Sequence, residues 1–152
     1  MKSLLAMLTL AATLGVPPDK EAVLAAVQQF FDTMATKDVD GAGEVLMPDG
    51  RLFSVRTVDG EKVVRSSPHQ EYLEGLKNAE DDWLERMWDP EVRIRDDIAT
   101  VWTPYDFHVN GEFSHCGIDA FDLIKVDGAW KIASAIYTVE TKDCEPSPLG
   151  PP

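Results

Sequence analysis

Positive charge is what this sequence has least of. Fourteen lysines and arginines face 27 aspartates and glutamates, for a net charge of -13 at pH 7. Such a chain repels phosphate backbones and anionic lipid, so binding nucleic acid or a membrane surface through a basic patch is disfavoured. Cysteine is scarce too. The two present, Cys116 and Cys144, show neither zinc-ligand spacing nor a CxxC redox pair, and they exclude a disulfide-dense scaffold. No apolar run spans a bilayer: the stretch from Leu4 to Leu14 falls short of the roughly 20 residues required. No block of like charge forms a tail, and no internal repeat is present. What remains is 152 residues, 44% hydrophobic and 27% charged, the composition of one globular domain.

Residues 1–15, MKSLLAMLTLAATLG, place Lys2 ahead of an apolar run, the pattern of a secretory signal peptide. Thr13 and Gly15 supply small residues before Val16-Pro17-Pro18. The reading is an exported protein, periplasmic or secreted; its alternative is an uncleaved N-terminal helix or a misassigned start. Residues 19–144 then form the domain, and the four-proline tail over 145–152 is expected to be disordered.

Helices come first. Val23, Leu24, Val27, Phe30, Phe31 and Met34 recur at helical spacing, predicting a helix from Asp19 to Ala35. Asp38 caps a shorter helix from Val39 to Leu46, ended by Met47-Pro48-Asp49-Gly50. Arg51–Thr57 and Lys62–Arg65 read as two strands around Val58-Asp59-Gly60-Glu61. Ser67, Pro68 and Gln70 form a capping box for a third helix running to about Asn78. Trp83–Arg95, broken near Asp89-Pro90, Ile98–Val109, Glu112–Val126 and Ala129–Thr141 are strands, the last three joined by Asn110-Gly111 and Asp127-Gly128. The class is α+β, a curved antiparallel sheet with three N-terminal-half helices on one face.

Two-residue hairpins fix a register. Asp106 then faces His115, Trp102 faces Asp119, and Asp119 faces Ile136. One face collects Trp102, Asp106, His108, His115 and Asp119 at a polar end, and Phe121, Leu123, Trp130, Ile132 and Ile136 at an apolar end. The opposite, convex face carries Val101, Thr103, Tyr105, Phe107, Ile118, Ala120, Tyr137 and Val139. It is apolar enough to need a partner, and a homodimer through it is expected. A bulge in either hairpin would exchange these sets.

AVLAAVQQFFDTMATKDVDGAGEVLMPDG resembles the opening helices of the nuclear transport factor 2-like superfamily, and IATVWTPYDFHVNGEFSHCGIDAFDLIKVDGAWKI resembles its last strands. Within it the chain looks most like small exported bacterial proteins of lumazine-binding-like type. The resemblance implies a cone-shaped fold with a cavity between sheet and helices. It leaves activity open, because the fold hosts enzymes, binders and assembly domains. A small, partly apolar organic ligand is the first reading, bound by Phe30, Trp102, Asp106, His108, His115 and Asp119. The second is a cofactor-independent isomerase, dehydratase or cyclase with Asp106, Asp119 and His115 as catalytic groups, by analogy with the ketosteroid isomerase branch. The third is a dimerising interaction domain without catalysis.

Tyr72 and Tyr105 are poor substitutes for the isomerase's hydrogen-bond donors in this register. A plain Asp106–His115 ion pair on a solvated sheet end is the bland alternative. His69 lies on a helix apart from His108 and His115, so no metal site is expected, nor any cofactor. Arg51, Arg56, Arg65, Arg86, Arg93 and Arg95 read as solvated pairs among acids; nothing in their spacing selects one to fix an anionic ligand. A Cys116–Cys144 bridge requires the segment over 141–143 to turn back. Two reduced thiols would instead argue against export.

Overall fold

The computed structural model describes residues 19–152; the segment read as an export signal lies outside the described residues. Helix α1, Asp19–Thr36, buries Val23, Val27, Phe30, Phe31 and Met34, as its apolar spacing requires. Asp38 caps α2, Val39–Val45, its Oδ1 accepting the Gly41 amide at 3.0 Å. The chain then enters β1, Leu46–Val58, at once, so Met47–Gly50 is strand rather than a helix stop. Strand β2, Glu61–Pro68, runs directly into α3, His69–Lys77. Ser67 therefore lies within a strand, and among the described residues no side chain caps α3, so the expected capping box does not form.

Strands β3, Trp83–Met87, and β4, Glu91–Arg95, are separated near Asp89-Pro90 and both pair with β5, Ile98–Val109. Strands β6, Glu112–Val126, and β7, Ala129–Val139, complete the sheet in the order β2-β1-β7-β6-β5-β3, with β4 beside β5. Asp59-Gly60, Asn110-Gly111 and Asp127-Gly128 all have positive φ at both residues, the geometry that two-residue hairpins need. After α3 the chain crosses to the far edge and meanders back, arriving beside β1 in the same direction. The β1–β7 pair is therefore parallel, and the otherwise antiparallel sheet is mixed. The α1 stripe packs on Val101, Phe121, Leu123, Trp130 and Ile132 to form the core. Phe121 meets Phe31 and Phe30 at ring-centroid distances of 5.9 and 6.3 Å.

Two one-residue bulges decide what faces inward. Val109 pairs with Glu112 and His108 with Phe113, but the next pair is Phe107 with His115, leaving Ser114 extra. Beyond it the odd-numbered residues of β5 share a face with those of β6, not the even-numbered ones. Ala133 is extra in the second hairpin, so Asp119 pairs with Tyr137 rather than Ile136. Val101, Thr103, Tyr105, Phe107, Tyr137 and Val139 consequently sit on the concave side, correcting the convex assignment made from unbulged hairpins. Ile118 and Ala120 remain outside, joined by Trp102 and Ile136, which are 55% and 46% exposed.

Candidate functional site

Between the concave sheet face, α1 and α3 lies a cavity of about 370 Å³. Phe30 and Met34 from α1, Tyr72 and Leu76 from α3, and Trp83, Phe107 and Phe121 from the sheet make its apolar wall. Polar groups enter from three strands: Glu85 on β3, Asp119 and His115 on β6, and Arg56 on β1. The volume and the mostly apolar wall with few convergent polar groups match a small-molecule site.

The predicted residues divide. Phe30, His115 and Asp119 line the cavity; Trp102, Asp106 and His108 do not. Asp106 sits on the outer face, where Arg86 grips it at 2.9 and 2.6 Å and His108 Nε2 lies 3.4 Å away. This pairing, rather than one with His115, holds the Asp106 carboxyl below the usual range even though partial burial pulls the other way. Asp106 and His108 are buried, at 4% and 5% exposure, on a face they share with the tail. Residues 145–152 carry no helix or strand and lie against Arg86, Asp106, His108 and Phe113. A disulfide joins Cys116 to Cys144 with a Cα–Cα separation of 6.0 Å, and Asp143 in a positive-φ conformation helps the chain turn back. Among the described residues, no group of three His, Cys, Asp or Glu side chains is placed to hold a metal ion.

Glu85 was not expected. The alternation Trp83, Glu85, Met87 was the available signal, and its pairing with Val109, Phe107 and Tyr105 turns all three inward. Glu85 and Asp119 line the same part of the cavity, close enough that each carboxyl perturbs the other's titration. Burial, reinforced by the Asp119 charge, drives the Glu85 carboxyl well above its ordinary value of 4.5 and favours its neutral form. Burial also pushes Asp119 up to about 7, against the opposing influence of the neighbouring Glu85. Asp119 is 2% exposed, and its Oδ2 has no hydrogen-bond partner among the described residues.

The donors around this pair differ in availability. Tyr105 donates to the Thr138 carbonyl at 2.7 Å and is occupied. The Tyr72 hydroxyl is buried without a partner among the described residues. Burial raises the pKa of both, so each hydroxyl stays protonated and able to donate. His115 stacks on Phe107 at 4.8 Å, and burial together with the Arg56 charge lowers its pKa, keeping the ring neutral at pH 7. The arrangement offers one carboxylate that titrates near neutrality, one carboxylic acid and one free phenol, all in an aromatic pocket.

This architecture has many solved counterparts. A protein with a cystatin-like fold from Nostoc punctiforme aligns at TM-score 0.65 and 13% identity, covering 82% of this chain and 92% of that one. A putative dehydratase of the nuclear transport factor 2-like family from Streptomyces avermitilis aligns at TM-score 0.61 and 17% identity, over 80% and 95% of the two chains. A putative scytalone dehydratase from Novosphingobium aromaticivorans aligns at 0.63 and 11%, over 85% and 89%. At these identities the likeness is one of fold. No curated protein matches the chain by sequence. The family described as putative lumazine-binding matches residues 18–138, which include all three helices, every strand except the last residue of β7, and every lining residue of the cavity except Val139. By that match the chain belongs to the family described as putative lumazine-binding, and its fold is the one seen in nuclear transport factor 2-like structures.

Proposed function

We propose that the cavity binds a small, partly apolar organic molecule and moves a proton on it without a cofactor. The observation that carries this reading is the Glu85–Asp119 pair, two carboxyl groups lining one aromatic pocket, each raised by burial above its ordinary range. Asp119, titrating near pH 7, is matched to take a proton from carbon at neutral pH. Tyr72, whose hydroxyl has no other partner among the described residues, supplies a hydrogen bond to the oxygen on which charge develops. In an isomerisation, Asp119 takes the proton and returns it to a second carbon. In a dehydration, Asp119 takes a proton from carbon while the Glu85 proton leaves with the hydroxyl group as water. The pair then again holds one proton between two carboxyls, so the balance closes. Two structural neighbours described as putative dehydratases are consistent with this class.

Deuterium exchange tests the reading directly. With the cyclic ketone 2-tetralone in D2O, the protein should accelerate loss of the α-proton signals in proton NMR. Asp119→Asn should slow that exchange by about 100-fold or more. An exchange rate equal to that in buffer, or one unchanged by the substitution, would overturn it.

A further inference from the structure

Arg56 stands apart from the other cavity groups. It lies on the concave side of β1 with Leu52 and Ser54, set there by pairing with Val139, Ala135 and Tyr137 respectively. Its Nε is buried and has no hydrogen-bond partner among the described residues. The β1–β2 register brings Arg65 and Ser67 to the same face, opposite Ser54 and Leu52. Arg56, Leu52 and Tyr137 line both the cavity and an adjoining polar groove, whose remaining wall includes Arg65, Ser66 and Ser67. The two depressions therefore meet at Arg56.

Neither arginine forms an ion pair among the described residues. This is notable in a chain where acids outnumber bases by 27 to 14. By contrast, Arg86 is held by Asp106 and Arg51 by Ser66. Glu71 also lines the groove, on its exposed side, but lies beyond ion-pair distance of both arginines. A guanidinium with a buried, unsatisfied N–H beside an apolar cavity is suited to a carboxylate, which accepts two parallel hydrogen bonds.

We infer that the ligand is an amphiphilic organic anion: a planar apolar ring seated among Phe30, Tyr72, Trp83 and Phe107, with a carboxylate held by Arg56 and steadied by Arg65. This rests on the cavity being a ligand site, as proposed above, and adds the ligand's class and orientation. The Glu85–Asp119 pair repels a second anion, so the acid group is directed to Arg56 and the ring's far edge towards the two carboxyls. The aromatic wall favours a flat ring over a flexible alkyl chain, which would lose more freedom on binding.

Calorimetric titration with 2-naphthoate, 2-naphthalenemethanol and decanoate tests this without any reaction. At pH 7.5 and low salt, 2-naphthoate should bind more tightly than either of the others. Arg56→Gln should weaken 2-naphthoate about tenfold or more and leave the alcohol unchanged. Arg56→Lys, which keeps charge but not the forked donors, should lose part of that affinity. Binding of 2-naphthoate in this pattern without any acceleration of deuterium exchange would leave this inference standing while the proton-transfer reading falls, so the two failures are read separately. Equal binding of acid and alcohol, or equal weakening of both by Arg56→Gln, would overturn the carboxylate assignment. Tighter binding of decanoate would overturn the planar ring, and binding of none of the three would overturn both together with the cavity's role.

Discussion

Replacing Asp119 by Asn and Glu85 by Gln together will flatten a fall in stability that the wild type undergoes as pH rises from about 4 to 7. In the unfolded chain Asp119 loses its proton near 3.8, whereas in the fold it does so at about 7. Between these values the folded state holds more protons than the unfolded one. Its stabilising share is therefore complete below the unfolded value and lost as pH climbs through the folded one. Glu85, raised well above 4.5, acts in the same direction. The expected fall attributable to the pair is about 2–4 kcal/mol, discounted because each carboxyl perturbs the other. Asp119→Asn alone removes only part of it, because burial still favours a neutral Glu85.

Other groups oppose this slope. His69 and His115 have lowered values in the fold, so they contribute stability above their unfolded value of 6.5 that is lost as pH falls below it. Asp106, lowered from 3.8, loses its contribution only below that pH. The difference between wild-type and double-variant curves, from urea unfolding at each pH, isolates the carboxyl pair. A difference that does not change between pH 4 and 7 would sink the shared-proton description.

Reduction of the Cys116–Cys144 bond, or Cys144→Ser, is expected to cost about 2–4 kcal/mol of stability. The bond closes a loop with a sequence separation of 28, and chain-entropy arguments assign a closure of that length about 3–4 kcal/mol. Some of this is offset because the backbone bridge between Cys116 and Glu140, with two hydrogen bonds of 2.9 Å, already holds the end of the loop. Freeing Cys144 also releases residues 145–152 from the outer face, uncovering Asp106 and His108. Urea midpoints with and without dithiothreitol measure the loss. Coincident midpoints would show that the bridge adds nothing to the fold.

The fold was legible because its punctuation is local. Asn110-Gly111 and Asp127-Gly128 mark hairpins through the backbone conformations they favour, and the α1 stripe declares its buried face by spacing alone. The site was half legible. His115 and Asp119 were placed in the cavity from β6 alternation, yet Asp106, His108 and Trp102 were carried with them across a hairpin that contains a bulge. A bulge at Ser114 depends on how the sheet curves around α1, a tertiary demand with no signature in Phe113-Ser114-His115 itself. Ala133 does the same to Ile136 and Tyr137. Tyr72 and Tyr105, set aside on the unbulged register, both line the cavity. Glu85 was missed because a single acid in Trp83–Met87 reads as a solvated edge until its pairing with Phe107 turns it inward.

The proposed proton transfer requires that Glu85 and Asp119 hold one proton between them in the cavity at neutral pH. Carbon-13 NMR of the side-chain carboxyls, followed from pH 3 to 9, measures this directly. The expected result is an Asp119 midpoint near 7, with Glu85 still protonated well above 4.5. Two independent midpoints near 4, the ordinary carboxylate range, would contradict it.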